Sequence, residues 1–132
     1  MRLPIRIYYE DTDCGGVVYY ANYLKYFERG RTEFLRELGV SLPELREKGV
    51  VFVVRKAEVE YLSPCRYDDL LYLETGVSSA TGATITFKHS VRKEGFDAEA
   101  VRGAVVLAAV GSDGRPKRVP EELKAALKAQ GL

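Results

Sequence analysis

The sequence predicts an α+β domain in which an antiparallel sheet packs against one long helix. Two patterns support this prediction. In one early stretch, apolar residues recur at three- and four-residue steps, at Tyr20, Tyr23, Leu24, Phe27, Phe34, Leu35 and Leu38. After residue 50 the apolar period changes to two, in four segments separated by turn residues. A chain of 132 residues has the length of one domain, so we assign residues 1–132 to a single domain.

Each element follows from a local pattern. Alternating apolar residues predict a first strand over 3–9, and the polar stretch that ends in Gly15-Gly16 predicts a loop. Gly39 marks the end of the long helix, and Ser41 is the predicted N-cap of a short helix that reaches about Lys48. The remaining predicted elements are four strands over residues 50–62, 70–79, 83–93 and 98–111, and a last helix over residues 120–129.

The predicted strand over residues 98–111 indicates self-association. Ala104 and Val106 lie on one face of this strand, and Val105 and Leu107 lie on the other. A single helix covers one face of a sheet, so the second apolar face would remain exposed in a monomer. We therefore expect a homo-oligomer, either a dimer or a tetramer.

Composition excludes several classes of protein. The net charge of +1 is too small to indicate a basic surface that would bind a polyanion, so we expect no nucleic-acid partner. The longest apolar stretch, residues 104–110, is too short to span a membrane, and the charged N-terminus is not a signal peptide. The two cysteines, Cys14 and Cys65, form no disulfide framework, which favours a cytoplasmic location. Asparagine, glutamine and methionine occur once each, so we expect a heat-stable protein.

The segment before the long helix combines features that a hydrolase needs. Asp11 and Asp13 precede Gly15-Gly16, and the chain then enters the helix. A helix N-terminus offers unpaired N–H donors and partial positive charge, and glycines let a ligand approach the backbone closely. A carboxylate beside such donors can act as a base or nucleophile next to an oxyanion hole. The alternative is that these carboxylates cap turns, as most loop carboxylates do.

The same segment carries a resemblance to a known family. Residues 9–23, read as YEDTDCGGVVYYANY, closely resemble the signature of the hotdog-fold acyl-CoA thioesterases. Within that group the chain is similar to the 4-hydroxybenzoyl-CoA thioesterase family and its YbgC-type branch, which is associated with the Tol-Pal envelope system. The resemblance continues through residues 27–33 and 59–69.

The resemblance implies a fold and a mechanism. The fold is a curved antiparallel sheet wrapped around one long helix, with the active site at a dimer interface. By position, Asp13 is the catalytic carboxylate, acting as base or nucleophile on an acyl-CoA thioester. The backbone N–H of Tyr20 polarises the thioester carbonyl. No metal or cofactor is implied, because coenzyme A is part of the substrate. YbgC-type members commonly carry histidine where this chain has Tyr20.

Other residues are candidates for substrate binding. We expect the loop and the helix start to contact the acyl group through Gly16, Val17, Tyr19, Asn22 and Tyr23. Asn22 has the alternative role of a helix cap. Basic residues at strand ends and in loops are candidates for the coenzyme A phosphates, namely Arg92, Lys93, Lys117 and Arg118.

Two alternative functions remain open. A hotdog hydratase or dehydratase typically uses a histidine with a carboxylate. The only histidine, His89, lies on an apolar strand face and is predicted to be a packed, hydrogen-bonded core residue. The second alternative is a non-catalytic hotdog module that binds acyl groups, which the presence of Asp13 argues against.

Overall fold

A computed structural model describes residues 1–131. The strands are β1 (Arg2–Arg6), β2 (Val51–Tyr61), β3 (Leu70–Ala80), β4 (Thr84–Lys93) and β5 (Glu99–Val110). The helices are α1 (Asn22–Glu37), α2 (Leu42–Glu47) and α3 (Glu121–Ala129), and a 3₁₀ turn covers Tyr9–Asp11. The α+β class, the long helix and the four later strands are confirmed.

The five strands form one antiparallel sheet in the order β1-β3-β4-β5-β2. β3, β4 and β5 follow one another as a meander. β2 crosses to the far side of this meander and pairs with β5, so β1 and β2 are the two edges. The end of β2 at Tyr61 lies opposite Val101 at the start of β5, which places Tyr61 at one end of the sheet.

Helix α1 lies across the sheet with Phe27 and Gly30 at the contact. Phe27 is fully buried, and its ring stacks on His89 of β4 at 4.4 Å between centroids. At Gly30 a side chain would have no room, because an added Cβ would lie 2.4 Å from Thr75 Oγ1 and 2.7 Å from Leu73 Cδ2. This close approach of helix and sheet forms the core expected of a sheet wrapped around one helix.

The ends of the helices follow the predicted signals. Gly39 has φ of +79°, and its N–H donates to the Arg36 carbonyl at 3.0 Å, closing the end of α1. Ser41 caps α2, since its hydroxyl oxygen accepts from the Glu44 N–H at 3.3 Å. Both predictions are confirmed. No helix within residues 1–131 is long and apolar enough to cross a membrane.

The first strand is shorter than predicted. It ends at Arg6 instead of continuing to residue 9. Tyr8 and Tyr9 prolong the apolar alternation, but their side chains are exposed, and the chain turns into the 3₁₀ turn. The Asp11 carboxylate fixes this turn by accepting from the Tyr8 N–H at 2.8 Å. A local side-chain hydrogen bond therefore ends the strand where the apolar pattern does not.

Candidate active site

Residues 12–18 form a tight turn that presents Asp13. Thr12 pairs with Val18 as an antiparallel bridge, and the Asp13 N–H donates to the Val17 carbonyl at 2.9 Å. Gly16 has φ of +80°, a conformation that glycine adopts without steric penalty. Its N–H donates to the Asp13 carbonyl at 3.0 Å. Glycine at position 16 therefore closes the turn.

The two oxygens of the Asp13 carboxylate have different surroundings. Oδ1 accepts from the Gly15 N–H at 2.8 Å and from the Val17 N–H at 3.4 Å. Oδ2 accepts no hydrogen bond from any residue in the range 1–131, and the side chain is exposed. One oxygen thus fixes the orientation of the carboxylate, and the other is available to a water molecule or a substrate.

Asp11 has a structural role. Beyond the cap on Tyr8, its carbonyl accepts from the Tyr19 N–H and from Asn22 Nδ2, both at 2.9 Å. These bonds tie the loop to the start of α1. Asn22 therefore braces the loop through its side-chain amide, which donates to the Asp11 carbonyl.

A cleft of about 310 Å³ opens beside Asp13. Of the predicted site residues, the cleft is lined by Asp13, Val17, Tyr20 and Tyr23. Burial raises the pKa of Tyr23, so its hydroxyl stays protonated at neutral pH. Gly16, Tyr19 and Asn22 do not line the cleft, since they hold the turn and the loop behind it. The cleft thus brings together both predicted catalytic residues and two of the five predicted substrate-binding residues, Val17 and Tyr23.

The opposite wall of the cleft was not predicted. It consists of Tyr61, the last residue of β2, and of Leu62, Ser63 and Pro64, which follow this strand, together with Val18. The Val18 N–H donates to the Cys65 carbonyl at 2.8 Å, which attaches the Asp13 turn to this segment. The Ser63-Pro64 turn and the resemblance over residues 59–69 were the available signals. Neither places the end of β2 beside the start of α1.

The start of α1 carries an unpaired donor at the cleft. Ala21 is the N-cap of the helix, and Tyr20 precedes it. Throughout the described chain, the Tyr20 N–H has no backbone or side-chain acceptor. Such N–H groups at a helix start carry partial positive charge and bind anions. Tyr20 therefore lines the cleft and also carries a backbone N–H without an acceptor in the described chain.

The basic candidates lie at two different ends of the sheet. Lys93 and Arg92 lie at the end of β4 near the Asp13 turn. In the sheet, Lys93 pairs with Leu71 and Arg92 pairs with Tyr72. Arg92 is engaged within the chain, since it donates to the Asp97 carbonyl at 2.9 Å and to Ser90 Oγ at 3.0 Å. Lys117 and Arg118 lie at the opposite end, because they contact Gly111 and Gly82.

A larger concavity of about 550 Å³ lies on the outer face of the sheet. Within it, Arg102 pairs with Glu60 at 3.1 Å and with Glu99 at 3.7 Å. It contains none of the predicted catalytic residues. We therefore place the candidate site in the smaller cleft at Asp13.

His89 is a buried core residue, as predicted. Thr75 Oγ1 lies 3.1 Å from Nδ1, and Arg31 Nη1 lies 3.4 Å from Nε2. Burial, followed by the nearby Arg31 guanidinium, lowers the pKa of His89 from 6.5 to about 3. Both ring nitrogens are thus occupied away from the cleft, which gives a dehydratase no histidine beside Asp13.

The low pKa of His89 predicts a loss of stability in acid. The unfolded state takes up a proton below about pH 6.5, whereas the folded state does so only near pH 3. Stability from this group is therefore complete above about pH 6.5 and declines as the pH falls towards 3. We expect urea unfolding at pH 7 and pH 4.5 to differ less in His89→Gln than in the wild type. An identical difference in both proteins would contradict this assignment.

The chain matches a known family over most of its length. Residues 8–127 match the model of the thioesterase-like superfamily. This range includes the Asp13 turn, α1 and all the strands except β1.

Individual relatives are similar over the same region. An acyl-CoA thioester hydrolase YbgC of Escherichia coli O157:H7 is 48% identical over 90 residues, which is 68% of this chain and 67% of the relative. An acyl-CoA thioesterase YbgC of Haemophilus influenzae is 42% identical over 124 residues, 93% of this chain and 90% of the relative. The crystal structure of a probable thioesterase from Bartonella henselae is 35% identical, with a TM-score of 0.85 over 91% of this chain and 98% of that one.

Proposed function

The chain belongs to the thioesterase-like superfamily and has the hotdog fold, and on this premise we propose that it hydrolyses acyl-CoA thioesters to a free acid and coenzyme A. Relatives named as acyl-CoA thioester hydrolases support the reaction class. The observation that carries the proposal is the cleft itself. It joins Asp13, which has one uncommitted carboxylate oxygen, to Tyr20, which has an uncommitted N–H.

Asp13 supplies the reactive carboxylate in either of two ways. As a base, Oδ2 takes a proton from water while the water oxygen adds to the thioester carbonyl carbon; the C–S bond then breaks, and the leaving thiolate takes up the proton. As a nucleophile, Oδ2 adds to that carbon directly, the thiol of coenzyme A leaves, and water hydrolyses the mixed anhydride. Both routes consume one water molecule and yield the same acid and thiol. In both, the hydrogen bonds to Oδ1 keep Oδ2 directed at the cleft.

Tyr20 supplies the oxyanion hole through its backbone. Negative charge develops on the thioester oxygen as the carbonyl carbon becomes tetrahedral, and a preorganised N–H at a helix start stabilises that charge. The tyrosine side chain is not needed for this donation. The replacement of the histidine of YbgC-type relatives by Tyr20 therefore leaves the proposed chemistry intact.

We propose that a second copy of the chain completes the site. β2 is an unpaired sheet edge, and its Val53 and Val54 are 46% and 55% exposed. Exposed apolar edge strands favour pairing with another strand. The cleft lies at the end of this edge, where Tyr61 and Leu62 are each 48% exposed. Pairing along β2 would cover this wall.

We expect light scattering at micromolar concentration to give the mass of a dimer or a tetramer of the 14.8 kDa chain. The physical reason is the exposed edge of β2 together with the half-buried outer face of β5. A stable species of 14.8 kDa would contradict the proposed assembly.

Lys93 is the strongest candidate in this protomer for the phosphates of coenzyme A. It lies at the end of the sheet that carries the cleft, and no carboxylate in residues 1–131 lies within 4.0 Å of it. Lys117 and Arg118 become candidates through a second copy. Antiparallel pairing of two β2 strands would bring the start of one strand, near Lys117, beside the end of the other.

The proposal is tested by offering the purified protein short aliphatic, long aliphatic and aryl acyl-CoA substrates and measuring free thiol and acid. We expect equal amounts of both products from at least one class. A hydratase would leave the thioester intact, and a binding module would release nothing. The unpaired Cys14 and Cys65 favour a reducing cytoplasm, so we propose that the reaction takes place there.

A further inference from the structure

Tyr61 makes a contact that links two distant parts of the cleft. It is the last residue of β2, and its hydroxyl donates to the Tyr20 carbonyl at 3.0 Å across 41 residues of sequence. No backbone N–H in the described chain donates to that carbonyl. The Leu24 N–H donates to the carbonyl of the N-cap residue Ala21 at 3.2 Å, and Tyr20 lies before this cap. Within the described chain, the Tyr61 hydroxyl is therefore the hydrogen-bond donor to the Tyr20 carbonyl.

The backbone around Tyr20 is held on both sides. The peptide before Tyr20 is anchored because the Tyr19 carbonyl accepts from the Asn22 N–H at 2.9 Å. The peptide after it is anchored by Tyr61. The Tyr20 N–H lies in the first of these two planar peptide groups, and the Tyr20 Cα joins the two groups. Hydrogen bonds on both groups therefore restrict rotation about the φ and ψ bonds of Tyr20, which would otherwise let the first group and its N–H turn relative to the start of α1. Without Tyr61 only one of the two anchors remains.

We infer that Tyr61 is a positioning residue that holds Tyr20 as the oxyanion donor, an inference that rests on the function proposed above. Donors stabilise a developing charge best when they need no reorganisation during the reaction. Loss of the Tyr61 hydroxyl lets the Tyr20 carbonyl turn towards water, and the helix start then samples orientations in which its N–H no longer faces the cleft. Loss of the hydroxyl therefore reduces the stabilisation of the transition state more than the binding of the substrate in its ground state.

The aromatic ring of Tyr61 has a separate role that a substitution can preserve. It contacts the ring of Tyr20 edge-on at 6.3 Å and the ring of Tyr23 at 5.7 Å between centroids. Tyr61→Phe keeps both contacts and the shape of the cleft wall, and removes only the hydrogen bond. This variant thus separates positioning from packing.

The test measures kcat and KM of wild type and Tyr61→Phe with the best acyl-CoA substrate. A matching thioether, S-butyl-CoA or S-benzyl-CoA, has no carbonyl oxygen and reports ground-state binding. We expect kcat to fall about 3- to 10-fold, as for one hydrogen bond of ordinary net strength, with KM and thioether affinity changed less than about 2-fold. Replacing Tyr61 by 4-aminophenylalanine restores a donor and should recover kcat. Tyr72→Phe, which alters a tyrosine of β3 outside the cleft, is the matched control.

The outcomes distinguish this inference from the proposed function. If the wild type releases no thiol from any acyl-CoA, the proposed function fails and the inference fails with it. If the wild type is active, the inference alone is overturned by an unchanged kcat in Tyr61→Phe, or by a loss that appears equally in KM and thioether affinity. Failure of 4-aminophenylalanine to recover kcat, or a Phe variant that does not fold, overturns it as well.

Discussion

Replacing Phe27 with alanine should lower the free energy of unfolding by about 3–5 kcal/mol. The side chain is fully buried and lies parallel to His89 with 4.4 Å between ring centroids. The edge of the ring also reaches Gly103 of β5, the residue paired with His89, where an added Cβ would lie 2.5 Å from Phe27 Cε2. Because Gly103 has no side chain that can move into the space, truncation leaves a cavity between helix and sheet.

Phe96→Ala is the matched control for this prediction. Phe96 lies in the turn after β4 and is 65% exposed, so its loss should change the unfolding free energy by less than about 0.5 kcal/mol. Urea unfolding of the three proteins at one protomer concentration gives both values, since self-association makes stability depend on concentration. Similar losses in Phe27→Ala and Phe96→Ala would mean that α1 does not rest on the sheet through Phe27.

Most elements of the fold were predictable because each depends on a local pattern. The α1 helix, the Ser41 cap and β2–β5 all lie within a few residues of their predicted positions. The order of the strands in the sheet could not be predicted from local patterns. Nothing in the residues of β2 indicates that it leaves its neighbour β3 and pairs with β5, because strand pairing depends on contacts between distant parts of the chain.

In the candidate site, too, residues close in sequence were predictable and long-range contacts were not. Asp13, Gly16 and Tyr20 are close in sequence. The polar loop before an apolar helix indicated a site in this segment, and the resemblance of residues 9–23 to the thioesterase signature assigned the roles of Asp13 and Tyr20. Tyr61 lies 41 residues beyond Tyr20, and its hydrogen bond exists only because β2 ends beside the start of α1. The role of Asn22 was open between a contact with substrate and a helix cap, and the N-cap of α1 is Ala21. The carbonyl of Asp11, which the Asn22 amide contacts at 2.9 Å, comes into reach only when the loop folds back.

Asp13→Asn should lower kcat by at least about 10²–10⁴-fold while fold and assembly stay unchanged. Asparagine keeps the shape of the side chain, and its amide oxygen can still accept from the Gly15 and Val17 N–H groups that orient Oδ1. The turn is therefore preserved. The substitution removes the negative charge, which is needed whether the carboxylate accepts a proton or attacks the thioester.

Asp11→Asn is the matched control, with the same chemical change two residues away. Its side chain accepts from the Tyr8 N–H at 2.8 Å and does not line the cleft, so an amide oxygen can replace the carboxylate. We expect a much smaller effect on kcat. An inactive Asp11→Asn beside an active Asp13→Asn would assign catalysis to the other aspartate.

The central claim is that the Asp13 carboxylate performs the hydrolysis, and thiol release by folded Asp13→Asn tests it most directly. The measurement compares kcat of wild type, Asp13→Asn and Asp11→Asn on one acyl-CoA, with circular dichroism and light scattering as checks of fold and assembly. We expect at least about a 100-fold loss of kcat in Asp13→Asn alone. An Asp13→Asn protein that keeps more than about a tenth of the wild-type kcat would contradict it.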